Sequence, residues 1–119
     1  MHPATLDEIE ARFGMAAELR RVQMDSVRWM VDLAKRADVY RIILNGSFVT
    51  DKIEPQDVDC VLLLRPGRPE NASARAELDA GLPFLDLHLV GQTDFDRYTT
   101  RIFGTDRDEV PKGMIEVVF

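Results

Sequence analysis

Val39-Tyr40-Arg41-Ile42-Ile43-Leu44 and Val58-Asp59-Cys60-Val61-Leu62-Leu63-Leu64 are the two stretches that decide the fold. Both are apolar, and both are bounded by turn chemistry. Asn45-Gly46-Ser47 breaks the first and Arg65-Pro66-Gly67 stops the second, so each reads as a strand. Downstream, the Ala- and Glu-rich stretch from about Glu70 to Asp79 predicts a short helix. Pro83 to Val90 predicts a third strand, ended by Gly91. Thr93-Asp94-Phe95-Asp96 can cap a further helix reaching Phe103. A charged loop over 104–113 then leads to a last strand from Met114 to Phe119.

Upstream, Thr5-Leu6-Asp7-Glu8 fits a capping box, so a short helix is expected to run to Phe13 and end at Gly14. A longer helix is expected over residues 16–37. Its buried stripe is Leu19, Val22, Met24, Val27, Met30, Val31 and Ala34, at three- and four-residue spacing. Arg20, Arg21, Arg28, Lys35 and Arg36 fall mostly outside that stripe and read as a solvated face. Trp29 reads as core or helix interface. The order α-α-β-β-α-β-α-β predicts one mixed α/β domain over residues 1–119. A helical part, 1–37, precedes a sheet-bearing part, 38–119, with helices on one or both faces of the sheet.

The bulk properties narrow the function. A chain of 119 residues holds one core, and 45% hydrophobic with 30% charged residues is an ordinary globular mixture. A net charge of −6 disfavours nonspecific nucleic-acid binding. The single cysteine, Cys60, excludes an internal disulfide, and with only His2 and His88 beside it a structural zinc site lacks ligands. The N-terminal MHPATLDEIEARF has no apolar signal core, and no run approaches the ~20 residues that span a bilayer. The expectation is a cytoplasmic protein without a membrane partner.

Asp57 and Asp59 stand two apart at the start of a strand, where side chains at i and i+2 share a face. Two carboxylates there repel unless a cation lies between them, and Mg²⁺ suits carboxylates together with substrate phosphates. Gly46-Ser47, just after the preceding strand, lets a phosphate approach the backbone and offers a hydroxyl. Asp86, with His88 on its face and Leu85, Leu87 and Leu89 opposite, supplies a third carboxylate. It can join the metal or act as the base for an attacking hydroxyl. His88 is either a ligand or proton shuttle, or a hydrogen-bonded strand histidine. Tyr98 stacks on a base or belongs to the core. Cys60 should point away from Asp59 as a small buried hydrophobe. Arg101, Arg107 and Lys112 either hold outer phosphates or pair with Asp106, Asp108 and Glu109; Lys52, nearer the Gly-Ser turn, has an equal claim. No serine-histidine-acid triad and no P-loop pattern is present.

The strand, Gly46-Ser47, a nine-residue gap and Asp57-Val58-Asp59 together resemble the signature of the DNA polymerase β-type nucleotidyltransferase superfamily, and within it the minimal nucleotidyltransferases of bacteria. A closer resemblance is to an uncharacterised bacterial group of nucleotidyltransferase-like proteins. It rests on His2…Ala4-Thr5-Leu6-Asp7-Glu8-Ile9…Arg12-Phe13, on Gly46 to Asp59, and on Gly104-Thr105-Asp106-Arg107…Pro111-Lys112-Gly113. The resemblance implies a nucleotidyltransferase-like mixed sheet flanked by helices. It implies Mg²⁺ held by Asp57, Asp59 and Asp86, and an NTP such as ATP held by Gly46, Ser47, Lys52, Arg107 and Lys112. The reaction implied is transfer of a nucleoside monophosphate to a protein, nucleic-acid or small-molecule acceptor, with a toxin–antitoxin or defence role and a partner protein or second copy of the chain. Phe48 and Gln56 depart from the minimal pattern, which often has arginine and serine there. They support the alternative, a catalytically weak or inactive module of the same fold that binds a nucleotide or a partner protein.

Overall fold

The computed structural model describes residues 2–15, 17–45, 57–67, 71–98 and 114–119. Its elements, in chain order, are β1 (His2–Thr5), α1 (Leu6–Phe13), α2 (Glu18–Arg36), β2 (Val39–Asn45), β3 (Val58–Leu64), α3 (Ala72–Ala80), β4 (Leu85–Val90), α4 (Gln92–Arg97) and β5 (Ile115–Val118). The strands form one mixed sheet in the order β1-β5-β2-β3-β4. β2 runs antiparallel to β3 and to β5, while β1 with β5 and β3 with β4 are parallel. The expected mixed sheet with flanking helices is what forms, and both faces of the sheet are covered.

Strand alternation sorts the two faces. Ile42, Leu44, Val58, Cys60 and Leu62 point into the larger core with Ile9 and Phe13 of α1, Met24, Val27, Met30, Val31 and Ala34 of α2, and Ala74 and Leu78 of α3. Ile43, Val61 and Leu63 point the other way, into a smaller cluster closed by Phe95 of α4 and by Met114. A fully buried aliphatic side chain of this kind contributes roughly 1.5–3 kcal/mol. Among the described residues no helix is long and apolar enough to cross a membrane.

The local signals behave as the sequence suggests at several ends. Thr5 caps α1 through its hydroxyl on the Glu8 N–H, and the Glu8 carboxylate returns to the Thr5 N–H at 2.9 Å. Asn71 caps α3, accepting from the Ala74 N–H at 2.9 Å. β1 was not expected: four residues carrying Pro3 show no usable period, and proline is tolerated because β1 is an edge strand.

Two expectations on α2 are corrected. Arg20 is not on a solvated face; it is 2% exposed, and its guanidinium donates to the Phe13 carbonyl at 3.1 Å. That carbonyl belongs to the last turn of α1, where carbonyls lack helical partners and a cation is favoured. Arg28 is half-buried and bridges Asp7 and Glu10 of α1, while Arg21, Lys35 and Arg36 are exposed. Trp29 is not core; it is 47% exposed, because it shares its face with Asp25, Asp32 and Arg36 at i−4, i+3 and i+7.

Gly14 caps α1 where α1 meets α2. A Cβ there would stand 2.9 Å from Met24 Cγ and 3.1 Å from the Glu10 backbone, and buried Met24 cannot move aside. Gly14→Ala is therefore expected to destabilise the fold by about 1–3 kcal/mol, read from denaturant unfolding.

Candidate metal site

The parallel pairing of β3 with β4 sets Asp59 directly beside Asp86, and Val61 beside His88. On its other side Asp59 is paired with Asn45, the last residue of β2. Asn45, Asp59 and Asp86 thus form one row across three strands. The row lies at the end of the sheet where the chain leaves β2 at Asn45 and returns at Asp57. The entry to β4 is pinned there: the Val58 N–H donates to the Phe84 carbonyl at 2.9 Å, with Phe84 in the left-handed region at φ 65°. A bulky residue in that region costs on the order of 1–3 kcal/mol.

Because Asp59, Asp86 and His88 are on the face opposite the larger core, they meet. One ligand atom from each lies within 4.8 Å of the others. His88 Nε2 stands 3.5 Å from Asp86 Oδ2. At the C-terminal end of α4, the Tyr98 hydroxyl lies 3.3 Å from His88 Nδ1, and the two rings are 5.2 Å apart, centroid to centroid. Tyr98 is partly buried and packs against the smaller cluster and His88.

The electrostatics follow from the crowding. Burial, and then the neighbouring Asp86 charge, push Asp59 above the ordinary carboxylate value of 3.8; His88 opposes this, while a hydrogen bond to Asp86 and the charge of Asp57 add to it. Ionised Asp59 is thus held at a cost that a cation would relieve. Below its ordinary value Asp59 is neutral in both the folded and the unfolded chain. As pH rises through the raised folded value, the unfolded chain gives up its proton more readily and stability falls. In the metal-free protein, Asp59→Asn is expected to raise the thermal midpoint at neutral pH, and the gain should vanish as the pH is taken below 3.8. A midpoint difference that stays constant with pH would contradict this origin.

Of the three expected metal carboxylates, the fold brings Asp59 and Asp86 together. Asp57 is exposed in the bend before β3 and stands outside the three-residue group, although its charge is felt at Asp59. His88 completes the group. Tyr98 as the partner of His88 was missed, since no period links residues ten apart across the turn at Gly91. Cys60 is buried on the opposite face as expected, and burial pushes its thiol well up. Gly46, Ser47, Lys52, Arg107 and Lys112, the expected phosphate ligands, lie outside the described residues, as do Phe48, Gln56 and Arg101. Cavities of about 550 and 530 Å³ around Tyr40 and Arg65 lie at the opposite end of β2 and β3 and contain none of the site residues.

The donor set fits a divalent cation. Two adjacent, mutually repelling carboxylates, Asp59 half-buried and Asp86 exposed, are what Mg²⁺ takes from a protein, the remaining positions going to water or phosphate.

A family of unknown function, DUF6932, matches residues 1–118. The chain belongs to that family. No curated protein and no solved structure matches this DUF6932 chain.

Proposed function

We propose that this DUF6932 chain is a Mg²⁺-dependent nucleotidyltransferase. It would move a nucleoside monophosphate from an NTP to a protein, nucleic-acid or small-molecule acceptor: an acceptor oxygen attacks the α-phosphorus, the bond to the β-phosphate breaks, and pyrophosphate leaves. The single observation that carries the reading is the pairing of Asp59 with Asp86 on adjacent parallel strands, beside the end of β2 from which Gly46-Ser47 continues. Asp59 and Asp86 would hold the metal, with Asp57 reaching it or its water. An ion held there would offset the negative charge on the phosphate oxygens as the transfer proceeds. Asp86 also accepts the proton of the acceptor hydroxyl. Gly46 and Ser47 grip the triphosphate, and Lys52, Arg107 and Lys112 neutralise its outer phosphates. A partner protein or a second copy of the chain would supply the specificity for the acceptor. A toxin–antitoxin setting in the cytoplasm suits such an arrangement and rests on the sequence resemblance alone.

The exposed position of Asp57, outside the three-residue group, favours a second reading: a module of the same fold that binds a nucleotide or a partner without turnover. The two separate in one experiment. The protein is incubated with α-phosphate-labelled NTPs, Mg²⁺ and candidate acceptors, beside Asp57→Ala and Asp59→Ala. Label transfer that needs both aspartates supports the enzyme. Nucleotide binding by calorimetry with no transfer, equal in wild type and variants, leaves the module.

A further inference from the structure

We propose that His88 is a nitrogen ligand of the metal held at Asp59 and Asp86, positioned by Tyr98, and that the site therefore prefers Mn²⁺ to Mg²⁺. The inference rests on the reading of Asp59 and Asp86 as metal ligands and adds to it a third, nitrogen ligand and its effect on the relative affinity for Mn²⁺ and Mg²⁺.

The geometry points to this in two independent ways. The first is the placement of the imidazole. His88 follows Asp86 by two on β4, so both project from the face that carries Asp59, and Nε2 is the nitrogen turned toward Asp86, at 3.5 Å. Ligands about 2.1 Å from one ion stand roughly 3 Å apart when adjacent and roughly 4.2 Å apart when opposite. The donor atoms of the three residues lie within 4.8 Å of one another, slightly wider than that range, so the side chains would draw together on an ion.

The second is what lies behind the ring. A histidine that ligates a metal through one nitrogen almost always has its other nitrogen hydrogen-bonded, which fixes tautomer and orientation. Nδ1 of His88 has that partner in the Tyr98 hydroxyl at 3.3 Å, and the tyrosine ring packs beside the imidazole. A hydroxyl both donates and accepts, so it serves the ring with the proton on either nitrogen. When Nε2 gives its lone pair to a metal, the Nδ1 proton is donated to Tyr98. Phe95, buried three residues earlier on α4, shares the smaller cluster with Tyr98, and its carbonyl accepts from the Tyr98 N–H.

The consequence for the ion is chemical. Mg²⁺ is bound by oxygen and gains little from an imidazole. Mn²⁺ accepts the same carboxylates and binds imidazole better, so the nitrogen raises Mn²⁺ affinity selectively.

The test uses the metal-free full chain and Mn²⁺ alone, followed by electron paramagnetic resonance. Wild type is expected to bind Mn²⁺ with pulsed-resonance modulation from an imidazole ¹⁴N, and Mg²⁺ should displace it only at large excess. His88→Ala is expected to lose the nitrogen signal and on the order of 100-fold in Mn²⁺ affinity, with Mg²⁺ affinity changed by no more than a few-fold. His88→Gln, which keeps a polar side chain of similar reach, should lose the same signal and serves if the alanine variant does not fold. Tyr98→Phe should keep the signal and weaken Mn²⁺ about tenfold, as expected of a positioning residue. Mn²⁺ bound without nitrogen coupling, or with equal affinity in His88→Ala, overturns the role of His88 and leaves Asp59 and Asp86 as the metal site. Absence of Mn²⁺ binding by wild type overturns both.

Discussion

Asp59→Asn is expected to cut nucleotidyl transfer by about 1,000-fold or more while leaving a folded protein. The asparagine keeps the shape and can keep the hydrogen bond to Asp86; only the charge that would hold the metal is gone. Asp59 is the middle member of the row Asn45–Asp59–Asp86, so no neighbouring carboxylate can take its place from the other side. The same substitution relieves a carboxylate that burial and Asp86 disfavour, so stability and transfer should move in opposite directions. Measured together, label transfer and thermal midpoint separate lost chemistry from lost structure. Transfer at the wild-type rate would sink the proposal.

Phe95→Ala is expected to cost about 3–5 kcal/mol, lowering the thermal midpoint by on the order of 10–20 °C. Phe95 is 1% exposed and closes the smaller cluster over Ile43, Val61, Leu63 and Met114. Its ring also lies under the Arg41 guanidinium, 4.9 Å from the centroid. That guanidinium is held by two 2.7 Å bonds to Glu116, which draw the Glu116 carboxyl below its ordinary value. α4 is six residues long and cannot persist without an anchor. Losing Phe95 should therefore free Tyr98 as well, so the His88 imidazole resonances should shift with the stability loss. Destabilisation below about 1 kcal/mol would show that the cluster refills and that α4 is held by other contacts.

The sequence was most legible where a single period governs burial. β3 occupies the run Val58–Leu64 as read, α1 ends at Phe13, and the alternation along β4 places Asp86 and His88 on one face. The side-by-side placement of Asp59 and Asp86 was not legible, because each strand's period gives its own face but not which strand pairs with which. The same limit hid Tyr98, whose link to His88 exists only after α4 folds back across the sheet. Arg20 was misread because its type argues for solvent, whereas its partner, the Phe13 carbonyl, exists only once α1 and α2 pack. β1 was missed because a four-residue edge strand is specified by its pairing with β5, more than a hundred residues away. The phosphate ligands expected at Gly46, Ser47, Lys52, Arg107 and Lys112 fall outside the described residues, so that half of the site stands as the sequence left it.

The parallel register of β3 and β4 has a consequence for tolerance to insertion. A slip of one residue would turn Asp86 and His88 into the larger core and expel Leu85, Leu87 and Leu89, an exchange that the apolar pattern forbids. The relative height of Asp59 and Asp86 is therefore enforced by the strands themselves rather than by the length of chain between them. The connection through α3 can gain or lose residues at its surface turns and still deliver the two carboxylates side by side.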